Sequence, residues 1–274
     1  MTKGSLDYRA LTTLVEFTGV VELERTIWGP GYDEVVPVPI LAVTVLRGGI
    51  LIGAFDGDRM VGFVYSLPGI KHRKATQWSH MLGVLDDYRS AGVGQQLKLL
   101  QRQQTLAMGL DLIEWTYDPM QALNAHLNFA KLGVSVQEYE INVYGESSSP
   151  LHRGNPTDRF VAEWHVKTPR VEQRLGGSAP MAPVLTVEPV VRMRPAGEWL
   201  EPGSWDLTFD APRVSVDIPT GFSEMLSSAP DLALTWRMAT RQIFTSYFER
   251  GYRAVEFFLD RKARKGSYLL VKQA

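Results

Sequence analysis

One stretch of this sequence constrains the fold more than any other: an apolar run that passes through a short polar loop into a glycine-rich helix start. It reads Leu82-Gly83-Val84-Leu85-Asp86-Asp87-Tyr88-Arg89-Ser90-Ala91-Gly92-Val93-Gly94. Residues 78–85 predict a strand, and residues 93–108 predict a helix that ends at Gly109. The first amides of a helix have no acceptor within the helix, and glycine removes the Cβ atoms that would hold a ligand away. The pattern therefore predicts an anion site suited to a diphosphate.

Two familiar phosphate-binding patterns do not fit this loop. It carries no Gly-Lys-Ser/Thr, which excludes a P-loop, and its spacing is not the Gly-x-Gly-x-x-Gly of dinucleotide-binding folds. By themselves, Gly92 and Gly94 are equally compatible with a tight turn that binds nothing. The elements around the loop are needed to decide between the two.

The residues before the loop predict at least one helix. Thr13 and Glu16 have the spacing of a capping box, so a helix is expected from there to Gly29. Residues 38–46 leave strand and helix open. Their β-branched content favours a strand, whereas Pro39 near the start and the glycines that follow favour a helix.

The remaining elements of the first half complete a recognisable order. The other predicted elements are strand 8–11, hairpin strands 50–55 and 60–66, strand 112–117, helix 123–132 and strand 134–144. With residues 38–46 taken as a helix, the order is β-α-α-β-β-β-α-β-α-β. It predicts an α/β (α+β) fold with a mixed, mostly antiparallel sheet and helices on both faces.

The second half of the chain has a different pattern. Loop-forming glycine, serine and proline residues cluster after residue 144 and again near residue 180. We therefore predict a first domain over residues 1–150, a linker region over residues 151–180 and a C-terminal α/β extension over residues 181–274.

The extension is predicted to contain one long amphipathic helix at 232–249, with strands at 213–218, 254–259 and 268–271. The helix leads through Gly251 into a strand, as the helix at 93–108 leads through Gly109. This echo is compatible with a degenerate half-repeat of the first domain, and equally with independent convergence on one pattern.

The loop resembles the acetyl-CoA motif of the GNAT superfamily of N-acetyltransferases. That motif has a core of Arg/Gln-x-x-Gly-x-Gly/Ala after a strand, matched here by Arg89, Ser90, Ala91, Gly92, Val93 and Gly94. The resemblance covers about residues 8–144, including the element order. It implies that the loop from Arg89 to Gly94, with Gln95, holds the pyrophosphate of an acyl-CoA. It also implies that the strand backbone at Leu82 and Val84 pairs with the pantetheine arm.

A second motif of the resemblance lies on the helix at 123–132. GNAT enzymes often carry an asparagine followed by a Tyr-x-Lys-x-Gly run, and here Asn124 precedes Phe129-Ala130-Lys131-Leu132-Gly133. By match, Asn124 and Phe129 are assigned to the cofactor site. Two departures stand out: Asn124 is two residues out of register, and Phe129 replaces a tyrosine that often protonates the departing thiolate. These departures concern the acid step rather than the cofactor site.

Direct acyl transfer to an amine needs a base near the strands at 80–85 and 112–117. Glu114 on the second strand is the first choice, with an ion-paired edge residue as the alternative. Asp118 ends that strand and is a second candidate, although a turn residue before Pro119 is the commoner case. His80 begins the first strand, where its near-neutral pKa would suit a base, although a structural histidine is the commoner case.

Composition narrows the function further. A net charge of -1 does not suggest a nucleic-acid binder, and the absence of cysteine excludes thiol catalysis and cysteine-based metal sites. No metal ligand spacing is seen among the histidines. No signal peptide or membrane-spanning run is seen, so the expected location is the cytoplasm.

The sequence thus predicts an acyl-CoA-dependent N-acyltransferase. Acetyl-CoA is the expected co-substrate, without a metal, and the expected acceptor is an amine of a small molecule. A homodimer is left open. The alternatives are a non-catalytic acyl-CoA-binding or regulatory protein, and an interaction role for the C-terminal half.

Overall fold

Strands and helices follow one another through the first half of the chain in the predicted order. The computed structural model describes residues 5–29, 32–89, 91–145, 154–177, 187 and 189–273. The strands are β1 (Asp7–Ala10), β2 (Ile50–Asp56), β3 (Arg59–Lys71), β4 (Lys74–Val84), β5 (Leu112–Tyr117), β6 (Ser135–Glu140), β7 (Arg159–His165), β8 (Val191–Ala196), β9 (Trp199–Trp205), β10 (Arg213–Pro219), β11 (Tyr252–Asp260) and β12 (Lys265–Lys272). The helices are α1 (Leu14–Trp28), α2 (Val38–Leu46), α3 (Val93–Ala107), α4 (Ala122–Ala125), α5 (Pro169–Leu175), α6 (Phe222–Ser228) and α7 (Pro230–Glu249). A π-helix, His126–Leu132, follows α4 directly.

The chain divides into two compact units. Among the described residues, unit 1 contains residues 5–29, 32–89 and 91–115, and unit 2 contains 116–145, 154–177, 187 and 189–273. The sequence suggests a domain boundary between residues 151 and 180, whereas these units divide between Trp115 and Thr116. The suggested boundary stays a prediction about independent folding.

Unit 1 contains a sheet with the strand order β1-β2-β3-β4-β5. Neighbouring strands are antiparallel except for β4 and β5, which are parallel. Helices lie on both sides of this sheet, so the predicted fold class, a mixed and mostly antiparallel sheet with flanking helices, is confirmed.

The N-terminal ends of α1 and α2 show why these segments are helical. Thr13 accepts from the backbone N–H of Glu16, and the Glu16 carboxylate accepts from the N–H of Thr13, so the predicted capping box is present. The ambiguous segment Val38–Leu46 is a helix. Pro39 lies in its first turn, where a missing N–H costs nothing because that group would have no helical acceptor.

Helices α1 and α3 cover opposite faces of the unit 1 sheet. A Cβ built on Gly62 would lie 3.4 Å from Val93 of α3, and one built on Gly83 would lie 2.8 Å from Ile27 of α1. Gly83 is paired with Phe63, the residue after Gly62, and consecutive strand residues point to opposite faces. We call these two sides the α1 face and the α3 face.

Strand β4 contains a β-bulge. Ser79 lies opposite Ser66 of β3, and Met81 lies opposite Tyr65, so His80 is the extra residue of that ladder. A bulge leaves one residue unpaired and bends the strand, and such features occur frequently beside active sites. The bulge therefore makes the middle of β4 a candidate position for a functional site.

Unit 2 contains a second antiparallel arrangement, with the strand order β7-β6-β11-β12-β10. Its core is aromatic: Phe160 of β7, Phe244 of α7 and Tyr268 of β12 are all buried, with ring centroids 4.6 to 5.4 Å apart. Strands β8 and β9 pair only with each other as a ribbon, within the part of unit 2 that the structure describes. This hairpin and the short helices α5 and α6 were not predicted from the sequence.

The predicted echo between the two halves is only partial. Gly109 follows α3 and Gly251 follows α7, with φ values of 77° and 81°, and each leads into a strand. However, β4 and β5 are direct neighbours, whereas β12 lies between β10 and β11 and is antiparallel to both. The shared pattern therefore extends to the helix–glycine–strand segment and not to the strand pairing.

Among the described residues, none of the helices combines the length and the apolar character that crossing a bilayer requires.

Candidate functional site

The loop between β4 and α3 is anchored to the hairpin of β2 and β3. Tyr88 lies in a 3₁₀ turn over Asp86–Tyr88, is buried, and donates from its hydroxyl to Asp56 at 2.6 Å. This hydrogen bond, together with burial, raises the pKa of the Tyr88 phenol. A fixed tyrosine at this position holds the polar loop at the end of β4 in one conformation.

Arg89 leads from this anchor towards the helix. Its Nε donates to the carbonyl of Val84 at 3.2 Å, and its guanidinium lies 2.8 Å from the carboxylate of Asp86. More than half of the Arg89 side chain is exposed, at 55%. It therefore offers a cation at the surface of the loop. Ser90, which is also predicted to contribute, lies outside the described residues.

The N-terminus of α3 carries no side-chain cap. Gly92 is the N-cap residue and has no side chain that could accept from the amides of Val93, Gly94 and Gln95. The first turn contains no acidic residue either. The amide of Gln96 is the first to bond within the helix, to the Gly92 carbonyl at 2.9 Å. The result is a group of forward-pointing N–H donors at the positive end of a 15-residue helix.

The two glycines of the motif serve different purposes. Gly92 has φ +82°, a left-handed conformation that other residues adopt only with strain. Gly94 has no such φ, and a Cβ added there would lie 3.6 Å from Leu82, an ordinary van der Waals distance. Glycine therefore avoids strain at position 92, whereas position 94 has room for the Cβ of an alanine. A glycine at position 94 costs the helix about 1 kcal/mol relative to alanine, and its own packing does not call for it.

Strands β4 and β5 pair over a short distance only. Their ladder has two pairs, Gln77 with Ile113 and Trp78 with Glu114. We call the point just beyond Trp78 and Glu114 the fork. From there to Val84, no other strand of unit 1 pairs with that edge of β4 in the described residues. Leu82 and Val84, the predicted pantetheine partners, lie on this open edge.

Glu114 lies at the fork on the α1 face. It is buried, and its carboxylate is 2.9 Å from the ammonium of Lys71 at the end of β3. The predicted base is thus next to the fork, as expected, and it is ion-paired, as the alternative interpretation expects.

His80 is the bulged residue of β4. Its ring meets that of Tyr65 edge-on, with centroids 6.0 Å apart. Although His80 is exposed, the surrounding protein removes part of its hydration and lowers its pKa. It lies on the same side as Tyr65, whose hydroxyl bonds Thr44 of α2 at 2.9 Å.

Asp118 belongs to unit 2 and has a different environment. Both of its carboxylate oxygens accept hydrogen bonds from Arg237 of α7, at 2.8 Å each. Burial by itself would raise the pKa of Asp118, but the adjacent guanidinium outweighs it and the pKa is lowered. A buried carboxylate held by a bidentate arginine suits the packing of α7 better than proton transfer.

Asn124 and Phe129 also belong to unit 2. Asn124 is exposed on α4, whereas Asn128, four residues later on the π-helix, is buried, and its Nδ2 has no hydrogen-bond partner among the described residues. Phe129 is fully buried and contacts the ring of Tyr268 edge-on, with centroids 5.7 Å apart. Phe129 thus packs in the aromatic core of unit 2, and its ring has no proton to give to a thiolate.

Sequence reasoning missed two buried ionisable side chains of unit 1. Lys98 of α3 is buried on the α3 face, and Glu24 of α1 is buried on the other side of the sheet. Burial raises the pKa of Glu24 to about 7, although its Oε2 accepts from the N–H of Val36 at 2.9 Å. Helical spacing alone could have flagged both, because each falls on the apolar side of its helix.

Comparisons with known proteins found similarities among solved structures and none among protein families or curated proteins. No protein-family model matches the sequence, and no curated protein matches it significantly. The structure is similar to that of a GNAT-family acetyltransferase from Streptococcus pneumoniae, with a TM-score of 0.46 and 12% identity, covering 58% of this chain and 98% of that one. It is similar to PaiA N-acetyltransferase from Thermoplasma acidophilum in complex with coenzyme A, with a TM-score of 0.43 and 15% identity, covering 59% and 99%.

A third similar structure is the ribosomal-protein-S18-alanine N-acetyltransferase from Escherichia coli, with a TM-score of 0.47 and 13% identity, covering 60% of this chain and 96% of that one. All three are named as acetyltransferases.

Proposed function

We propose that this protein is an acyl-CoA-dependent N-acyltransferase that uses acetyl-CoA. The observation that carries the proposal is the uncapped, glycine-rich N-terminus of α3 at the end of an open strand edge. Gly94 is the most telling residue, since the fold itself leaves room for a side chain there.

The described geometry suits the parts of coenzyme A in order. The amides of residues 93–95 would hold the diphosphate, with the exposed guanidinium of Arg89 beside them. From there the open edge of β4 offers backbone groups at Leu82 and Val84. The amide-containing pantetheine arm would pair with them as an added strand does. The arm would then direct the thioester towards the fork.

The reaction we propose is direct transfer to an amine. The acceptor loses a proton, its nitrogen attacks the thioester carbonyl, and the thiolate of coenzyme A leaves. Glu114 is the proposed base, because it is the carboxylate at the fork. His80 on the bulge is the second choice. Asp118 is not proposed, since Arg237 occupies both of its oxygens.

The proposed acceptor is an amine of a small molecule. An amine arrives as a cation, and the ion pair of Glu114 with Lys71 shows that the carboxylate at the fork can hold an ammonium group. A homodimer stays a further proposal, tested by the mass of the protein in solution.

A second candidate function is acyl-CoA binding without turnover. The observation in its favour is Phe129, which is fully buried where the resembling family often has a proton-donating tyrosine. Under this hypothesis the ligand would bind to the same loop but would not be consumed.

Calorimetry with acetyl-CoA tests both candidates together, and an absence of binding at millimolar ligand would reject both. A screen of amine acceptors that follows the free thiol of coenzyme A then separates them. Turnover with any amine supports the enzyme. Tight binding with no thiol release across the panel supports the binding protein.

A further inference from the structure

The buried side of α3 is unusually polar. Lys98, Gln101 and Thr105 have exposures of 2%, 0% and 0%, and helical spacing places all three on one side of the helix. Polar groups are costly to bury unless they are paired, and a charged group more so. Their presence on the face that packs against β4 therefore calls for a physical reason.

Lys98 lies at the fork. Its Nζ donates to the hydroxyl of Ser79 at 2.8 Å and to Oε1 of Gln101 at 3.1 Å, and it stands 3.6 Å from the ring centroid of Trp115. Ser79 and Trp115 are the residues immediately after the last β4–β5 pair, Trp78 with Glu114. The amine thus sits between the two strands at the point where they part.

No carboxylate of the described residues forms an ion pair with Lys98. Its neighbours are a hydroxyl, an amide and an aromatic face, each of which interacts with an ammonium without neutralising it. Loss of hydration consequently lowers the pKa of Lys98 well below its ordinary value. The Lys98 ammonium therefore has a positive charge that no nearby carboxylate balances, so an anion beside it would be stabilised.

The two faces of the sheet separate this group from the proposed base. Glu114 and Trp115 are consecutive in β5, so their side chains point to opposite faces. Lys98 is on the Trp115 side, and the ion pair of Glu114 with Lys71 is on the other. A base on one face and a cation on the other would let one group serve the attacking nitrogen and the other the departing sulfur.

We propose that Lys98 is the group that receives the sulfur of coenzyme A as it leaves. This inference rests on the proposed function and supplies the help to the leaving group that Phe129 lacks. In the step, the acceptor nitrogen bonds to the carbonyl carbon, and the carbon–sulfur bond breaks with its electron pair on sulfur. The amine proton passes to the base, and the Lys98 ammonium stabilises the thiolate, which takes up a proton from solvent once it leaves the site.

The surroundings of Lys98 suit this role. Burial removes water from the ammonium and lowers the pKa of Lys98, whereas a nearby thiolate favours the charged ammonium. The same attraction favours the ionised form of the thiol, so the two charges stabilise each other.

The test measures the ionisation of bound coenzyme A and needs no acceptor. Coenzyme A and its desulfo analogue are bound to the protein, and the thiolate absorbance difference is followed against pH. In the native protein we expect the bound thiol to ionise at least one pH unit below free coenzyme A, which is about tenfold more thiolate at a given pH. Lys98→Met should abolish that shift. Thr105→Val, about two helical turns further along α3, should keep it.

Each outcome decides something. If calorimetry shows no binding of coenzyme A, the proposed function and this inference both fail. If coenzyme A binds and its thiol ionises in the native protein as it does in water, only this inference is overturned. The titration of coenzyme A bound to the native protein needs no variant, so its result counts even if Lys98→Met does not fold. A shift that persists in a folded Lys98→Met protein overturns the assignment to Lys98.

Discussion

Burial moves two ionisable side chains of unit 1 towards their neutral forms. Glu24 on α1 has a raised pKa and Lys98 on α3 a lowered one, and desolvation is the largest cause in both cases. Within the described residues, neither forms an ion pair with a residue of opposite charge, in contrast to Glu114 with Lys71. With a pKa of about 7, Glu24 changes its charge within the range where proteins work.

Glu24 should make the stability of the protein depend on pH. Its pKa is about 7 in the folded chain against 4.5 ordinarily. Between these values the folded chain holds a proton that the unfolded chain has released, so the free energy of unfolding falls as pH rises from 4.5 to 7. The loss is at most about 3 kcal/mol, because one pKa unit corresponds to about 1.4 kcal/mol.

Urea unfolding at several pH values measures this dependence. Glu24→Gln keeps an acceptor for the Val36 amide and should flatten the curve, whereas Glu22→Gln, exposed on the same helix, should not. Equal slopes in the native and Glu24→Gln proteins would contradict the assignment.

Glu114 should matter to turnover rather than to cofactor binding. With hydroxylamine as a surrogate amine, Glu114→Gln is expected to reduce kcat by about 100-fold, the lower range for loss of a general base. The affinity for coenzyme A by calorimetry should stay the same, because the loop of residues 89–95 is untouched. Asp111→Asn, an exposed carboxylate just before β5, is the control. An unchanged kcat in Glu114→Gln would move the base to His80.

At the scale of elements, the start of α3 separates fold from function. Gly92→Ala should destabilise the protein by about 1–2 kcal/mol, because alanine is strained at a left-handed φ. Gly94→Ala should be neutral or stabilise by up to about 1 kcal/mol. Gly94→Leu should retain the fold and weaken coenzyme A binding at least tenfold, since its side chain would extend over the amides of the first turn.

Thermal unfolding and calorimetry on the same three variants check these expectations. A Gly94→Leu protein that binds coenzyme A as tightly as the native one would remove the diphosphate from this helix end.

Local signals explain which elements were predictable. The capping box at Thr13 and the turn Asp56-Gly57-Asp58 act within a few residues, so the sequence states them directly. The β8–β9 ribbon was missed because Pro195 and Pro202 lie inside its strands, where proline usually argues against a strand. Only the partner strand reveals that such a ribbon forms.

The site was predictable in part for the same reason. The glycine-rich helix start is local, and the structure places it where it was expected, after β4. Lys98 was missed because a lysine in an amphipathic helix is normally assigned to solvent. Its role depends on Ser79 and Trp115, which are 19 and 17 residues away in sequence and meet it only through the pairing of β4 with β5.

At the scale of the whole molecule, unit 2 ties early residues to late ones. Asp118 is held by Arg237, Asp158 is held by Arg241, and β6 is paired with β11. Removing one member of a buried ion pair costs about 3–5 kcal/mol. The described contacts of unit 2 therefore join residues 116–165 to residues 213–272.

A chain cut after Gly177 should consequently be insoluble or unfolded. It would leave Asp118 without its guanidinium and would expose the aromatic rings that pack against α7 and β12. Expression of residues 1–177, followed by circular dichroism and coenzyme A titration, checks this against the full-length chain. A soluble fragment that binds coenzyme A would instead support the domain boundary predicted between residues 151 and 180.

Because of the bulge at His80, β4 has one residue more than the alternation of its side chains between the two faces needs. Ser79 faces Lys98, and Leu82 faces Gly94, so both lie on the α3 face although an odd number of positions separates them. The extra residue of the bulge accounts for this, because without it Ser79 and Leu82 would be separated by an even number of positions. Deleting His80 would restore plain alternation and keep every later side chain on its present face, whereas a deletion elsewhere in a strand reverses them all.

We therefore expect the chain without residue 80 to fold with nearly native stability and to lose turnover, while the chain without residue 64, in the middle of β3, should not fold. A shortened β4 that keeps full activity would show the bulge to be a neutral insertion. If the shortened chain is stable but inactive while His80→Ala is active, the chemistry at the fork needs the extra peptide unit; if both are inactive, it needs the imidazole.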